Sequence, residues 1–179
     1  MTYLLLNHCL ATKAYEICEE MFEQRGYNIV EKDDERILAI KEDGNQICAF
    51  ISKLGSKFNV ERIQACIVMM KEMDIYHGLI VYNGTATPVA KKIVEESQKM
   101  KIELFHETEL QYNLTKHYLV PLHELIYKKD TIEAKEFKKN KYPIISRTDP
   151  VSRFYGWNTG DIIKITRKND FVMFRIVGK

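Results

Sequence analysis

The chain has 179 residues, of which 45% are hydrophobic and 29% charged, and its net charge is +2. That length suits one ordinary domain or two small ones with real cores. No stretch approaches the ~20 apolar residues of a membrane span, and the opening has one apolar triplet, Leu4 to Leu6, without a basic leader, so an intracellular, non-secreted protein with no membrane partner is expected.

The net charge hides an asymmetry. Residues 1–113 hold 13 Lys+Arg against 18 Asp+Glu, a balance of −5, whereas residues 114–179 hold 14 against 7, or +7. Two modules with different neighbours are expected, divided at 113/114. Cys9, Cys18, Cys48 and Cys66 show no C-x-x-C spacing and sit among apolar neighbours, which predicts reduced, buried small hydrophobes.

In chain order, Thr12 is placed to cap a helix whose apolar positions Tyr15, Cys18, Met21 and Phe22 follow the 3.6 period, with Gly26 as its stop. Ile37 to Ile40 and Ile47 to Ile51 flank Asp43-Gly44 and predict a hairpin with a loop longer than two residues. Val60 to Met73 carries Ile63, Ile67 and Met70 on one helical face, and the run Gly78 to Tyr82 (GLIVY) has the length of a buried strand. Thr87-Pro88 opens a further helix, through about Met100, because proline lacks only an N–H that is unpaired at the first helical position. The short run Ile102 to Phe105 follows. Strand alternating with helix implies a layered sheet.

The second module begins with T-x-H-x-L-V-P-x-H, carried by Thr115, His117, Leu119, Val120, Pro121 and His123. Asp130 to Glu133 has the form of a capping box, with Asp130 as cap of a short helix through Phe137. Lys135, Lys138, Lys139 and Lys141 then form a basic edge suited to a solvated face, an acidic partner or phosphate. Asp149 is an N-cap acceptor before Pro150, with Val151, Phe154 and Tyr155 on one face and Gly156 as a left-handed stop. After a turn at Asn158-Thr159-Gly160, Ile162 to Arg167 and Phe171 to Val177 read as strands joined through Lys168-Asn169-Asp170.

The segment Asp149-Pro150-Val151, Arg153, Tyr155-Gly156, Gly160-Asp161-Ile162-Ile163-Lys164-Ile165, Arg167 and Phe174-Arg175-Ile176, together with the T-x-H block, resembles the assembly domain of the small RNA polymerase subunit shared by the eukaryotic nuclear polymerases, a domain that also forms a small subunit of the archaeal polymerase. Residues 1–113 are similar to the jaw domain of the same eukaryotic subunit at Arg25-Gly26-Tyr27, at Gly78, Val81 and Tyr82, and at Thr87, Pro88 and Ala90. The chain is shorter than the cellular proteins around Glu31 to Gly44, between Phe137 and Pro143, and at Lys168 to Phe171.

The resemblance implies an α/β (α+β) protein. Its N-terminal jaw, 1–113, would be restriction-endonuclease-like with a layered mixed sheet, and its small C-terminal α/β assembly domain, 114–179, would end in a hairpin. It implies a non-catalytic polymerase subunit that binds the largest subunit and other polymerase subunits, near downstream double-stranded DNA. Its place would be the nucleus for a cellular protein, or host cytoplasm and virion for a copy encoded by a large DNA virus. Pro150, Val151, Arg153, Tyr155, Lys164, Arg167 and Arg175 are the expected interface with the largest subunit, and Thr87, Pro88 and Lys91 are expected to face DNA. The competing expectation is a free-standing nucleic-acid-binding or degenerate nuclease domain. A nuclease needs two carboxylates on one divalent ion and a nearby lysine. Asp43 and Lys53 have suggestive spacing, yet Ile51 stands two before Lys53 and cannot ligate magnesium. No catalytic residue, metal or cofactor is expected, and His117 and His123 are read as structural.

Overall fold

The computed structural model describes residues 2–51, 59–97, 99–138 and 142–178. The chain divides into two compact units, Met1–Tyr112 and Asn113–Lys179.

The first unit is built on a helix and a mixed sheet. Helix α1 spans Thr2–Gln24, eleven residues longer at its start than the Thr12 cap predicts. The preceding sequence holds no proline or glycine, and a mid-helix threonine costs too little to stop propagation. Ala14, Cys18, Met21 and Phe22 are fully buried along its length, and Gly26, at φ +78°, ends it as expected. Strands β1 (Asn28–Lys32), β2 (Arg36–Ile40) and β3 (Gln46–Ile51) then form an antiparallel meander. Helices α2 (Val60–Glu72) and α3 (Pro88–Glu96) carry the chain to β4 (His77–Tyr82) and β5 (Lys101–His106), both parallel to β3. The sheet order is β1-β2-β3-β4-β5.

Strand β4 lies between two strands and is buried from Gly78 through Val81, which is why GLIVY is a continuous apolar run. On one face Cys48, Phe50 and Ile80 pack with Ile63, Cys66 and Met70 of α2 and Ala90 of α3. The opposite face, with Ile47, Ala49, Leu79 and Val81 fully or almost fully buried, belongs to the side on which α1 packs against β3. Helix α3 stops at Glu96, four residues short of the predicted end, and Met100 is buried in the α2–α3 core beyond it. Cys18, Cys48 and Cys66 are free, buried thiols that burial pushes up to about 12, 12 and 11. The side chain of Cys9 lies outside the described residues.

The second unit holds β6 (Leu122–Tyr127), α4 (Ile132–Lys138), β7 (Ile144–Ser146), α5 (Pro150–Tyr155), β8 (Ile162–Thr166) and β9 (Val172–Gly178). Its sheet order is β6-β8-β9-β7, antiparallel except for β7 beside β9. The cap of α4 is Thr131, not Asp130: its Oγ1 accepts the Ala134 N–H at 3.2 Å, one position later than the expected capping box. Ile163 and Ile165 point to the face that packs with Val151, Trp157 and Val177. On the other face Phe137 of α4 stacks on Tyr142 at 4.2 Å and meets Phe174 edge-on at 5.2 Å.

Candidate functional site

Helix α5 is fixed by local chemistry at both ends. Asp149 Oδ1 accepts the Val151 N–H at 2.9 Å, and Pro150 occupies the first helical position. Gly156 sits at φ +66°, donating its N–H to Arg153 O while Trp157 donates to Ser152 O, so the last carbonyls are satisfied. Val151 and Phe154 enter the unit's own core, and Tyr155 stacks on Trp157 at 4.9 Å. The two halves of the motif meet here. Thr115, in the turn Leu114–Lys116, hydrogen-bonds the Tyr155 phenol, whose pKa burial raises against that bond, and Leu114, Val120 and Tyr155 pack on one cluster.

The seven predicted interface residues do not form one patch. Pro150 is exposed, and Arg153 and Tyr155 are half-buried on α5, but Val151 is only 8% exposed and serves the core. Lys164 alternates with Ile163 and Ile165, so it lies on the sheet face away from α5, paired with Glu124 at 3.2 Å. Arg175 donates to the Ile144 carbonyl at 2.9 Å, and Arg167 is exposed just past the end of β8. His123 shares a 2.7 Å hydrogen bond with the Pro121 carbonyl, and burial lowers its pKa; His117 Nδ1 accepts the Leu119 N–H at 3.3 Å.

In the first unit, Thr87 Oγ1 accepts the Ala90 N–H at 3.2 Å and Pro88 opens α3. Pro88 and Lys91 are exposed, and the first turn carries no acidic residue. Thr87 is thus a helix cap in fact, with its hydroxyl already engaged.

Asp43 stands far from the strand end at Ile51, where a nuclease arrangement would need its second carboxylate. Asp43 lies in the β2–β3 turn, where it accepts the Asn45 N–H at 3.0 Å, while Ile51 ends β3, about 20 Å away at the strand's rise of ~3.3 Å per residue. Lys53 lies outside the described residues, as do Lys139 and Lys141 of the basic edge. Asp33, Asp34 and Glu35 form the β1–β2 turn beside Ile51, whose N–H donates to the Glu35 carbonyl at 2.7 Å. They rim a cavity of about 720 Å³ floored by Phe50, Ile51, Cys66 and Ile80. Asp33 there accepts from the Glu35 N–H and pairs with Arg36 at 3.0 Å, and these partners hold its pKa low.

Comparison with known proteins finds two family matches along the chain. The family described as RNA polymerase Rpb5, C-terminal domain, matches residues 112–177, and the family described as Restriction endonuclease matches residues 9–114. A protein of Invertebrate iridescent virus 6 named as DNA-directed RNA polymerase subunit 454R is 33% identical over 185 residues, covering 93% of this chain and 98% of that one. The chain belongs to the Rpb5 family of DNA-directed RNA polymerase subunits. The subunit rpabc1 of polymerases I, II and III from Dictyostelium discoideum is 34% identical over 120 residues, 64% of this chain and 61% of its own. RPABC1 of Caenorhabditis elegans is 30% identical over 156 residues, 82% of this chain and 74% of its own.

In this Rpb5-family subunit, two constellations went unread in the sequence. Arg25, at the end of α1, binds both oxygens of Glu103 on β5 at 3.1 and 2.8 Å. His77 Nε2 lies 2.6 Å from Glu103 Oε1, and the Tyr27 hydroxyl 3.4 Å from His77 Nδ1. Burial alone would raise the Glu103 carboxyl, but Arg25 first, then the His77 hydrogen bond and Lys101, hold it well below the usual range. Burial lowers the His77 pKa against the pull of Glu103, so at neutral pH the contact is a hydrogen bond from a neutral imidazole and not an ion pair. Arg25-Gly26-Tyr27 therefore closes α1 onto β4 and β5. The second constellation is Asp161, 3% exposed, whose carboxylate accepts the Lys129 N–H at 2.9 Å and the Asn158 N–H at 2.7 Å. Its place in the glycine-aspartate motif was legible; its partner 32 residues away was not.

Proposed function

We propose that the chain is a non-catalytic subunit of a polymerase encoded by a large DNA virus, with its C-terminal unit bound to the largest subunit and its N-terminal unit beside downstream DNA. The likeness to the iridescent-virus protein over 98% of that protein's length carries this reading. The two motif blocks joined through Thr115 and Tyr155 support it, since they pack together on the core that carries Pro150 and Arg153 at its surface. Arginine is favoured at interface hot spots, so Arg153 and Arg167 are the anchors, with Lys164 and Arg175 holding the sheet behind them. Thr87, Pro88 and Lys91 face DNA through backbone N–H groups and the positive end of α3, touching phosphate rather than base edges.

The match to restriction endonucleases over residues 9–114 favours a second reading, a free-standing nucleic-acid-binding or nuclease-like domain. Against it stand Ile51 at the end of β3 and an Asp33 carboxylate already paired with Arg36. Affinity purification of the tagged chain followed by mass spectrometry tests the first reading. A stoichiometric largest subunit is expected with the wild type and is lost with Arg153→Glu. Recovery of the chain alone, with metal-dependent cleavage of plasmid that Asp33→Ala abolishes, would establish the second.

A further inference from the structure

Asn83 is the one asparagine of the chain that precedes a glycine. With no side chain beside it, the Gly84 nitrogen can approach the side-chain carbonyl carbon of Asn83, Cγ, more freely than the nitrogen of any bulkier residue. The backbone adds to this openness. Gly84 follows β4 at φ +79°, is exposed, and has nothing within 4 Å of where a Cβ would stand. The Asn83 side chain, by contrast, is held: its amide donates to the carboxylate of Glu107, a residue only 6% exposed. Burial pushes that carboxyl up, while the His106 ring and the Asn83 hydrogen bond pull it down. Glu107 is itself anchored. Its carbonyl accepts from Gln111 Nε2 at 2.6 Å, the His106 N–H donates to Glu109 Oε1 at 3.1 Å, and the turn Glu107–Leu110 packs against α1. An open nucleophile and a tethered electrophile thus stand next to each other in one loop.

We propose that Asn83 is a site of slow covalent conversion, held back by Glu107. The Gly84 nitrogen attacks Asn83 Cγ and gives up its proton, the side-chain nitrogen takes that proton and leaves as ammonia, and a cyclic imide closes between the two residues. Water then opens the ring at either carbonyl, giving aspartate or isoaspartate, so the only co-reactant is water. The product reverses the contact that restrained the reactant. Where an amide donated to Glu107, a second carboxylate now faces it, and two like charges about a buried group repel. The loop from Asn83 to Thr87 is thereby released from Glu107, in one direction only. On the reading that Thr87, Pro88 and Lys91 face DNA, the added negative charge weakens that contact; the conversion itself does not depend on that reading.

The test incubates the full chain at neutral pH and follows Asn83 by peptide mass spectrometry, which reads the change from amide to carboxylate, and by isoaspartate methyltransferase labelling. Glu107→Ala frees the amide from a hydrogen bond to a charged group and should raise the rate at Asn83 at least about tenfold over the wild type. The rate at Asn45, exposed in the same unit but followed by glutamine, should not move. Adding Gly84→Ala to Glu107→Ala should bring Asn83 back to the level of Asn45. Asn83→Asp, which installs the product's charge, should lower the melting temperature, and should do so much less in a Glu107→Gln background, where the facing carboxylate is gone. An Asn83 rate unchanged in Glu107→Ala, a rise shared by Asn45, or a rise that survives Gly84→Ala overturns the restrained site. Equal losses from Asn83→Asp in both backgrounds overturn the release.

Discussion

Replacing Glu103 by glutamine takes away the carboxylate that both Arg25 nitrogens bind, while keeping the side chain's shape. The Arg25 side chain is 3% exposed and that of Glu103 14%, so bulk water cannot take over the guanidinium's solvation. Removing one partner of a buried pair costs about 3–5 kcal/mol. For a unit of this size that is a fall in Tm of roughly 12–20 °C. Arg25→Met/Glu103→Met removes both charges and should cost less than Glu103→Gln alone, because nothing is left stranded. The pH dependence follows from two depressed groups. Glu103 lies below its ordinary 4.5 and His77 below its ordinary 6.5 when folded, so each contributes stability that is present above its ordinary value and lost as pH falls. Wild-type stability should therefore decline from about pH 6.5 downward, and Glu103→Gln should flatten the part below pH 4.5. Urea and thermal unfolding of the full chain at several pH values measure this. A loss under about 1 kcal/mol, or a double variant worse than the single one, would refute the buried-pair account.

Pro150→Gly should cost on the order of 1 kcal/mol by loosening the unfolded chain. Gly156→Val should cost more in the same thermal melts, since it forces a β-branched residue to φ +66°. Asp161→Ala strands two part-buried N–H donors and should cost about 2 kcal/mol by urea unfolding, whereas Asp161→Asn, with one acceptor oxygen left, should cost less. Thr87→Ala/Lys91→Glu should lower the slope of log stability against log salt for elongation complexes by about one or two counterions; parallel slopes would leave Thr87 as a helix cap alone.

What was legible in the sequence was what local chemistry decides. Helix α5 has its cap, its proline and its left-handed glycine within eight residues, and the structure places each where those signals predict. The buried strand β4 and the hairpin of β2 and β3 were equally clear. Strands β1 and β6 were not, because both are edges: β1 buries none of its five residues and carries a bulge between Ile29 and Glu31, and β6 is likewise irregular before Tyr127. Neither shows the alternation by which strands are read. The start of α1 was missed because a residue that can cap need not do so. The Arg25–Glu103 pair spans 78 residues, and no periodicity reports a contact at that separation. The expected interface mixes residues from both faces of one sheet, because Lys164 alternates with Ile163 and Ile165 along β8.

The grip of Asp161 also bears on how this family can change in length. Its carboxylate holds Lys129 at the exit of β6 and Asn158 beyond α5, and its own carbonyl accepts the Val177 N–H at 2.9 Å. Residues 130–157, which carry α4, β7 and α5, therefore leave and return to one fixed point on the sheet, with β7 paired to β9 between them. Lengthening a tied loop is inexpensive, about 0.6 kcal/mol for each doubling. An insertion in the connection between α4 and β7 would leave these three Asp161 contacts in place, and with them the strands they tie. Lineages can thus add or shed surface in this stretch without renegotiating the assembly fold, so long as position 161 keeps an acceptor.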